Sequence, residues 1–566
     1  MNSMAKDEIK CPLKGEALLT NPRLNKDTAF TEEERIKYEL TSRLPPVVET
    51  LQQQVNRAYE QYKSFGDRVL EKNFYLSQLS IRNQTLFYAL ISQHLVEMIP
   101  IIYTPTEGDA IMQFSDVYRY PEGCFLDIDH KDSQYIKNQL GAFGTKDSVK
   151  YIILTDSEGI LGIGDQGVGG VLISVAKGHL MTLCAGLDPN SFLPIVLDVG
   201  TDNQKHRSNP QYMGLKRNRV RGEEYDQYLD TVLTCIKEVF PHAFIHFEDF
   251  GLKNAKRILD KYSKEFACFN DDIQGTGAVA LAAIVAALHV TKSPLTEQRI
   301  MIFGAGTAGM GIANQIVSAL VGDGLSKQEA IDHIYLVDRY GLLLEKHATV
   351  ATEGQKPFLK KSNDFRDIKE EDSVDLETAI SRVKPTVLLG CSGQSGKFTE
   401  NAMREMAKHV EQPIIFPISN PTKLMEARPD QINEWTNGKA LLATGSPMPP
   451  IKRDGKDYII SQCNNALLYP ALGVGCVLSG CKFLTNGMMK AASDALATVP
   501  KTLFKSEEAL LPDLKNAREI SRHITLAVMK QARKENMNTT EFPTEDKALS
   551  EWIRNQEWDP CYKKFV

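Results

Sequence analysis

Short apolar runs alternate with helix-like segments from residue 151 onward. Between the runs, Gly277 to His289 and Met310 to Val321 carry apolar residues at helical spacing. Such alternation is typical of parallel sheets with helices on both faces, so the pattern predicts an α/β fold. The predicted strands are Tyr151 to Thr155, Leu193 to Asp198, Phe244 to Phe247, Arg299 to Gly304, Ile334 to Asp338, Thr386 to Gly390 and Ile414 to Ile418.

The N-terminal part of the chain reads as helices instead. Leu51 to Tyr62 and Thr85 to Met98 have apolar positions at helical spacing. We expect the second of these helices to end before Pro100, because a residue that precedes proline avoids the α region. The tail after Pro500 is also helical in pattern, and it is polar.

These patterns divide the chain into four predicted parts, with one boundary in the Thr291 to Leu295 linker. They are a helical N-terminal region (1–125), a parallel-sheet substrate- and metal-binding domain (126–290), a Rossmann-type dinucleotide-binding domain (291–475) and a helical C-terminal region (476–566).

Composition narrows the class of protein. A net charge of −6 over 566 residues gives no basic footprint for nucleic acid or for a membrane surface. The ten cysteines form no CxxC pair, which fits a reducing compartment. Met1 to Phe30 lacks the apolar stretch of a leader peptide, and no uninterrupted apolar run reaches membrane-spanning length. We therefore expect a cytoplasmic protein that binds neither nucleic acid nor membrane.

Two acidic doublets are the most informative feature of the chain. Glu248-Asp249 and Asp271-Asp272 each follow a short apolar run and precede a helix-like stretch. Carboxylates at the carboxyl ends of parallel strands face the crevice in which open α/β sheets bind ligands. Several oxygens converging there suit Mg²⁺ or Mn²⁺. The alternative is that the doublets cap helices, but two matched doublets favour the metal site.

Two GxGxxG strings follow predicted strands. Gly304-Ala305-Gly306-Thr307-Ala308-Gly309 precedes a helix, and the next strand ends at Asp338, which would accept from ribose hydroxyls. This is the context of a dinucleotide site, with the pyrophosphate at the helix N-terminus. The other string, Gly162 to Gly167, is interpreted as a loop lining the catalytic site, with a second nucleotide site as the alternative.

Other candidate residues are less specific. Lys177 lies in an apolar segment, where burial would lower its pKa and make it a general base, although most lysines reach solvent. Tyr103, in a proline- and glycine-rich turn, could donate a proton. Asn420, Asn464 and Asn465 follow apolar runs and could bind a carboxylate, or merely cap turns.

Taken in order, the motifs resemble those of malic enzymes over about residues 20–560. Their amino-acid sequences are most similar to those of fungal and bacterial NAD-linked members. The motifs are YTPTEG (Tyr103 to Gly108), GILGIGDQG (Gly159 to Gly167), LDVGTDN (Leu197 to Asn203), HFEDF (His246 to Phe250), FNDDIQGT (Phe269 to Thr276), GAGTAG, SNPT and QCNNA (Gln462 to Ala466). The resemblance implies oxidative decarboxylation of malate to pyruvate and CO₂, with NAD and Mg²⁺ or Mn²⁺.

The resemblance also implies residue roles. Glu248, Asp249 and Asp272 match the metal ligands. Lys177 matches the base that takes the 2-hydroxyl proton, with Asp271 assisting it, and Tyr103 matches the acid that protonates the enol. The amides that contact malate match Asn420 and Asn464 or Asn465.

Two positions qualify the resemblance. Gly159 stands where many family members carry an arginine that grips the substrate carboxylate, so another cation, or the metal and the amides, must serve here. Asp338 favours NAD because it would repel a 2′-phosphate, although Arg339 beside it could offset this. Gln355 matches a position that is lysine in NADP-preferring relatives, while a one-residue shift would place Lys356 there.

Two rival functions stay open at this stage. A malolactic enzyme shares the fold, the metal and NAD but releases lactate; YTPT and Thr444-Gly445-Ser446-Pro447 favour the malic side. A non-catalytic nucleotide sensor would not need three carboxylates, a lysine and a tyrosine together.

The family resemblance further implies a homodimer or homotetramer.

Overall fold

The computed structural model describes residues 8–118, 120–160, 162–362, 373–453, 455–504 and 509–566. Helices fill the N-terminal region, after a short strand β1 (Glu8–Ile9). They are α1 (Gly15–Leu19), α2 (Glu32–Lys37), α3 (Leu51–Ser64), α4 (Val69–Arg82), α5 (Gln84–Gln93), α6 (Leu95–Ile102), α7 (Thr106–Met112) and α8 (Phe114–Val117). The predicted helical N-terminal region is confirmed.

The expected helix end before Pro100 is wrong. The helix ends earlier, at His94 between α5 and α6, and Pro100 lies inside α6. Met98, Ile99, Ile101 and Ile102 of this helix are buried. Their burial holds the turn in place despite the one backbone hydrogen bond that proline cannot donate.

The first sheet has the strand order β2-β4-β3-β5-β6 and is parallel throughout. Its strands are β2 (Cys124–Asp127), β3 (Tyr151–Thr155), β4 (Phe192–Asp198), β5 (Phe244–Glu248) and β6 (Cys268–Asn270). Its helices are α9 (Ser133–Gly141), α10 (Val171–Ala185), α11 (Gln204–Ser208), α12 (Glu223–Val239), α13 (Leu252–Tyr262) and α14 (Thr276–Thr291). Alternate strand residues enter different cores: Ile153 belongs to the same buried cluster as residues of α10 and α14, whereas Ile152 belongs to the cluster of α9 and α12.

The second sheet has the order β15-β12-β11-β10-β7-β8-β9. All its neighbours pair in parallel except β8 and β9. Because β8 lies on one side of β7 and β10 on the other, the strand order reverses there, as in a Rossmann-type domain. The strands are β7 (Ile300–Phe303), β8 (Ile334–Asp338), β9 (Gly341–Leu342), β10 (Val387–Gly390), β11 (Ile414–Pro417), β12 (Leu441–Thr444) and β15 (Ser461–Gln462), with a hairpin β13 (Ile451–Arg453) and β14 (Lys456–Tyr458).

Helices flank this second sheet and continue to the C-terminus. They are α15 (Thr307–Gly322), α16 (Lys327–Asp332), α17 (Leu376–Val383), α18 (Glu400–His409), α19 (Pro429–Trp435), α20 (Tyr469–Ser479), α21 (Asn486–Thr502), α22 (Ala517–Lys534) and α23 (Asp546–Gln556). Helix α22 buries Ile520, Ile524 and Val528 at helical spacing, so the polar tail has one apolar face. A last strand, β16 (Lys564–Phe565), pairs with β1.

Within the part of the chain that the structure describes, two helical segments are long and apolar enough to cross a membrane by length and composition alone. They are Gly167–Ala185 and Asp271–Thr291. Within the protein they are 89% and 72% buried. A helix that is apolar on all sides fits such a core position, because little of its surface meets water.

Candidate active site

The two acidic doublets meet at the carboxyl edge of the first sheet. Glu248 ends β5, and Asp271-Asp272 directly follow β6, the strand that pairs with β5. One ligand oxygen each from Glu248, Asp249 and Asp272 lies within 4.8 Å of the others. At the second doublet the helix cap is Asn270, whose Oδ1 accepts the amide of Ile273 at 2.9 Å, and Asp271 and Asp272 lie in the first turn that follows.

The backbone of Asp249 is held in an uncommon conformation. Its φ is +55°, in the left-handed region that non-glycine residues rarely adopt. Its amide donates to Asp272 Oδ2 at 2.8 Å, and its carbonyl accepts the amide of Gly159 at 2.9 Å. These contacts fix the turn and bring the two doublets together, a local strain of the kind that clusters at functional sites.

The carboxylates have the properties of metal ligands. Asp249 Oδ2 is buried and has no hydrogen-bond partner among the described residues. Burial raises the pKa of Asp249 well above its usual value, and the neighbouring Asp272 adds to this. Burial likewise raises the pKa of Glu248 to about 7. A divalent cation would compensate these charges, and the all-oxygen donor set suits Mg²⁺ or Mn²⁺.

Lys177 lies directly beside the acidic cluster. Its Nζ is 2.9 Å from Glu248 Oε1 and donates to Asp271 Oδ2. Only 2% of the lysine is exposed, so the solvent-reaching alternative is wrong. The expected lowering of its pKa is also wrong: burial lowers the pKa, but Asp271 and Glu248 outweigh burial and raise it well above the usual value.

Tyr103 joins this cluster from the N-terminal helices. It directly follows α6, is 8% exposed, and its ring centroid lies 5.7 Å from Lys177 Nζ. Burial raises the pKa of the phenol, although Lys177 opposes this. The phenol is therefore protonated near neutral pH and can act as a proton donor.

The three predicted amides fall into different places. Asn465 Nδ2 donates to Asp271 Oδ2 at 3.1 Å and to Thr276 Oγ1 at 3.1 Å, so Asn465 joins the cluster. Asn464 Oδ1 instead accepts the amide of Ala466 at 2.9 Å, as a turn cap. Asn420 is exposed beyond β11 and accepts from Ser446 Oγ at 2.6 Å.

The GAGTAG loop has the geometry of a dinucleotide turn. Gly304 has a φ of +108°, and a Cβ there would lie 2.6 Å from the backbone of Ser392. A Cβ on Gly309 would lie 1.9 Å from the Gly304 carbonyl oxygen, whereas the position above Gly306 is open. These are the glycine roles of tight turn, ligand approach and close packing. Ala305 and Ala308 complete the loop and the first turn of α15.

Gln355 is fixed beside the acid that ends β8. Its Nε2 donates to Asp338 Oδ2 at 3.1 Å and to the Ala305 carbonyl at 2.9 Å. Lys356, by contrast, pairs with Glu353. The exposed Arg339 has its guanidinium 5.0 Å from the Tyr340 ring centroid. Gln355, and not Lys356, therefore lies against Asp338.

Arg219 organises the second glycine string, and the sequence reading did not identify it. It is 6% exposed, and its Nε and Nη2 donate to Asp165 Oδ2 and Oδ1 at 2.7 and 2.8 Å. Its Nη2 also donates to the Asp156 carbonyl at 2.7 Å. A Cβ on Gly162 would lie 3.8 Å from Pro421 Cδ, so this loop faces the SNPT turn of the second sheet. This contact brings the loop beside the second sheet, and its part in the catalytic site stays a prediction.

Gly159 leaves no room for a side chain. A Cβ there would lie 2.9 Å from the carbonyl oxygen of Phe250. Arg221, two residues after the buried Arg219, pairs with Glu158 Oε1 at 2.6 Å and Asp202 Oδ2 at 2.7 Å. Neither arginine is therefore free to replace the missing substrate cation, since both are paired with carboxylates.

Comparison with known proteins places these features in one family. The family model for the malic enzyme N-terminal domain matches residues 80–263, and the model for the malic enzyme NAD binding domain matches residues 273–533. The chain is 73% identical to the NAD-dependent malic enzyme of Schizosaccharomyces pombe over the full length of both proteins. It is 44% identical to the mitochondrial NAD-dependent malic enzyme of Saccharomyces cerevisiae, over 99% of this chain and 84% of that protein.

Solved structures agree on the fold. The crystal structure of Entamoeba histolytica malic enzyme has a TM-score of 0.57 at 18% identity and covers 92% of this chain and 90% of its own. The Pyrococcus horikoshii malic enzyme has a TM-score of 0.55 at 19% identity, over 81% of this chain and 89% of its own. Because the two family models match more than half of its residues and its full-length relatives share this name, the chain belongs to the malic enzyme family.

Proposed function

We propose that this chain oxidises malate to pyruvate and CO₂ with NAD and a divalent metal, Mg²⁺ or Mn²⁺. The observation that carries the proposal is the contact of Lys177 Nζ with Glu248 Oε1 at 2.9 Å. A candidate base and a candidate metal ligand are thereby within reach of one substrate hydroxyl. Full-length relatives named as NAD-dependent malic enzymes support the same reaction.

Lys177 is the residue to which we assign the proton of the malate 2-hydroxyl. Asp271 and Glu248 hold it as an ammonium in the protein alone. Cation binding at Glu248, Asp249 and Asp272 offsets their negative charge, which lowers the Lys177 pKa toward the range of a general base. When bound, the metal supplies Lewis-acid polarisation of the 2-oxygen and stabilises the negative charge that remains on the substrate when CO₂ leaves. Asn465 keeps Asp271 oriented through its 3.1 Å hydrogen bond.

Tyr103 is assigned the final proton transfer, to C3 of the substrate. It is buried and protonated, and Lys177 lies over its ring at 5.7 Å. Because the lysine gains a proton in the first half of the reaction, it can return the proton to Tyr103 at the end. The acid and the base therefore regenerate each other without bulk solvent.

The nucleotide assignment rests on the second sheet. The GAGTAG turn would hold the dinucleotide, which would supply the acceptor for the hydride that leaves C2 of malate. Asp338 is assigned the ribose hydroxyls, and its carboxylate disfavours a 2′-phosphate by charge repulsion. Gln355 holds that carboxylate in place with a neutral amide, at 3.1 Å.

Product identification separates this function from the malolactic rival. Purified protein is given malate, Mn²⁺ and NAD, and pyruvate, lactate and NADH are measured together. We expect one NADH for each pyruvate and no lactate. Lactate without net NADH would assign the malolactic reaction, and no turnover with any metal would assign a non-catalytic role.

Assembly and compartment are proposed as well. We propose a homodimer or homotetramer in the cytoplasm, on the resemblance of the motifs to the family and on the ten cysteines, none of which forms a disulfide among the described residues. Sedimentation of the purified protein tests the assembly, and cell fractionation tests the compartment. Co-sedimentation with mitochondria, the location in the name of the Saccharomyces cerevisiae relative, would contradict the second proposal.

A further inference from the structure

His246 lies between a tyrosine and a candidate metal ligand inside the first sheet. Tyr151 Oη is 2.9 Å from His246 Nδ1, and His246 Nε2 is 2.7 Å from Glu248 Oε2. Tyr151 and His246 are fully buried, and Glu248 is 4% exposed. Both nitrogens of the ring are therefore engaged within the protein.

Strand geometry brings these three side chains together. Side chains two residues apart on a strand point to the same face, so His246 and Glu248 share one face of β5. Ile153 of β3 pairs with His246, which makes Tyr151 its diagonal neighbour on that face. The arrangement follows from the register of two buried strands and needs no loop.

The hydrogen bonds also fix the tautomer of the histidine. Burial raises the pKa of Tyr151 well above its usual value, so the phenol keeps its proton and donates it to Nδ1. The Glu248 carboxylate can only accept a hydrogen bond, so its 2.7 Å contact requires a proton on Nε2. Nε2–H then donates to Glu248. Although His246, Glu248 and Asp271 are close enough to hold a metal, His246 has no free nitrogen for one.

We propose that His246, oriented by Tyr151, is a positioning residue that fixes the Glu248 carboxylate for the divalent metal. The proposal rests on the proposed function, which assigns Glu248 as a ligand. By holding Oε2, His246 leaves Oε1 directed at Lys177, so the same hydrogen bond sets the position of the ligand and of the base. Hydrogen-bond partners of metal ligands commonly change metal affinity by about 10- to 100-fold when they are removed.

A pair of variants isolates the Nε2–H donor. In His246→Gln the amide nitrogen extends about as far as Nε2 and keeps a donor to Glu248. In His246→Asn the amide reaches only the Nδ1 position, and the donor is lost. Mn²⁺ affinity of the substrate-free protein, measured by the electron paramagnetic resonance of free Mn²⁺, should fall by about 10- to 100-fold in His246→Asn. His246→Gln should stay within about tenfold of the parent protein, and Tyr151→Phe should fall between the two.

His179→Asn is the matched control. His179 Nδ1 is 2.8 Å from Tyr88 Oη, so this variant removes the buried imidazole ring of another Tyr–His pair, one that does not contact a candidate metal ligand. It should lower stability without changing Mn²⁺ affinity. Metal affinity that falls equally in His179→Asn would mean that loss of packing, and not positioning of Glu248, is being measured.

The outcomes distinguish the two proposals. Unchanged Mn²⁺ affinity in a folded His246→Asn protein, or an equal loss in His246→Gln, would overturn the positioning role. If His246→Asn does not fold, unchanged affinity in Tyr151→Phe overturns it. Glu248→Gln is measured alongside: if it binds Mn²⁺ as tightly as the parent, the ligand assignment in the proposed function fails instead.

Discussion

Lys177 Nζ lies 2.9 Å from Glu248 Oε1 and also donates to Asp271, a residue 94 positions further along the chain. The lysine therefore contacts a candidate metal ligand on one side and its own partner acid on the other. Metal binding and proton abstraction share one carboxylate, so a change at either residue should affect both.

Removal of the lysine should abolish malate oxidation. Lys177→Ala should lower kcat by about 10²- to 10⁴-fold, the usual contribution of a general base. An added small amine should restore part of the activity, since the cavity left by the side chain lies beside Asp271. Stopped-flow measurement of NADH formation checks both effects. A variant that keeps more than about a tenth of the parent kcat, a barrier change below ~1.4 kcal/mol, would show that Lys177 is not the base.

Tyr103→Phe should lose turnover of malate to pyruvate but keep partial reactions. The variant lacks the proton donor for C3, whereas Lys177 and the carboxylates are unchanged. Reduction of oxaloacetate by NADH needs no proton at C3 and should persist. Loss of that reaction in proportion to overall turnover would place Tyr103 in binding and not in protonation.

The Asp338–Gln355 contact predicts how the nucleotide preference can be changed. The kcat/KM with NAD should exceed that with NADP. Asp338→Ala should weaken the binding of NAD and strengthen the binding of NADP. Gln355→Lys should act in the same direction, since an ammonium would stand beside Asp338 and the Ala305 carbonyl. Both effects should appear mainly in KM, because the adenosine end is remote from the hydride.

Lys356→Gln is the control for this change, since Lys356 pairs with Glu353 on the surface. Its nucleotide preference should equal that of the parent. A shift toward NAD in this variant, or a parent that prefers NADP, would mean that Lys356 or Arg339 governs the choice.

Loss of Arg219 should lower the free energy of unfolding several times more than loss of Arg221. Arg219 Nη1 is 4.0 Å from the buried Asp156 Oδ2, and Nε is 2.7 Å from the half-buried Asp165 Oδ2. Arg219→Met leaves both carboxylates without their cation, which costs about 3–5 kcal/mol in similar cases. Arg221→Met removes a half-exposed side chain, and such surface pairs contribute about 1 kcal/mol or less. Urea unfolding compares the two variants, and equal losses would contradict the role given to the buried pair.

Acid should weaken the contact between Arg219 and Asp165. The pKa of Asp165 is lowered in the folded protein: burial raises it, but the hydrogen bond and charge of Arg219 outweigh burial. A carboxyl with a depressed folded pKa contributes stability that is present above its unfolded pKa of about 3.9 and is lost as pH falls through the folded value. The difference in stability between the parent and Asp165→Asn should therefore shrink below about pH 4.

The sequence predicted the strands well where burial dictates the pattern. Tyr151–Thr155 and Ile334–Asp338 were predicted with the bounds that the structure has. Both are short apolar runs in parallel sheets, where most or all of the side chains are buried. β2 was not predicted, because Cys124–Asp127 alternates between buried and half-buried residues and is only four residues long.

The parts that the sequence could not predict depend on distant contacts. The sequence neighbours of Lys177 are apolar and suggested a lowered pKa, but Asp271 and Glu248 raise it from other elements. Arg219 contacts Asp165 across 54 positions, and no local pattern indicates that pairing. The role of His246, by contrast, could be predicted from the sequence. It stands two residues before a glutamate that ends a strand, and side chains two residues apart on a strand lie on the same face.

The central claim is metal-dependent oxidation of malate by NAD at Glu248, Asp249 and Asp272, and metal removal tests it most directly. NADH and pyruvate are measured with malate and NAD before chelation, after chelation and after return of Mn²⁺ or Mg²⁺, for the parent, Glu248→Gln and Asp272→Asn. We predict that chelation abolishes turnover by the parent and that the metal restores it. Both variants should stay inactive at every metal concentration while their unfolding midpoints show that they are folded. Full turnover by the parent in the presence of chelator would contradict the account.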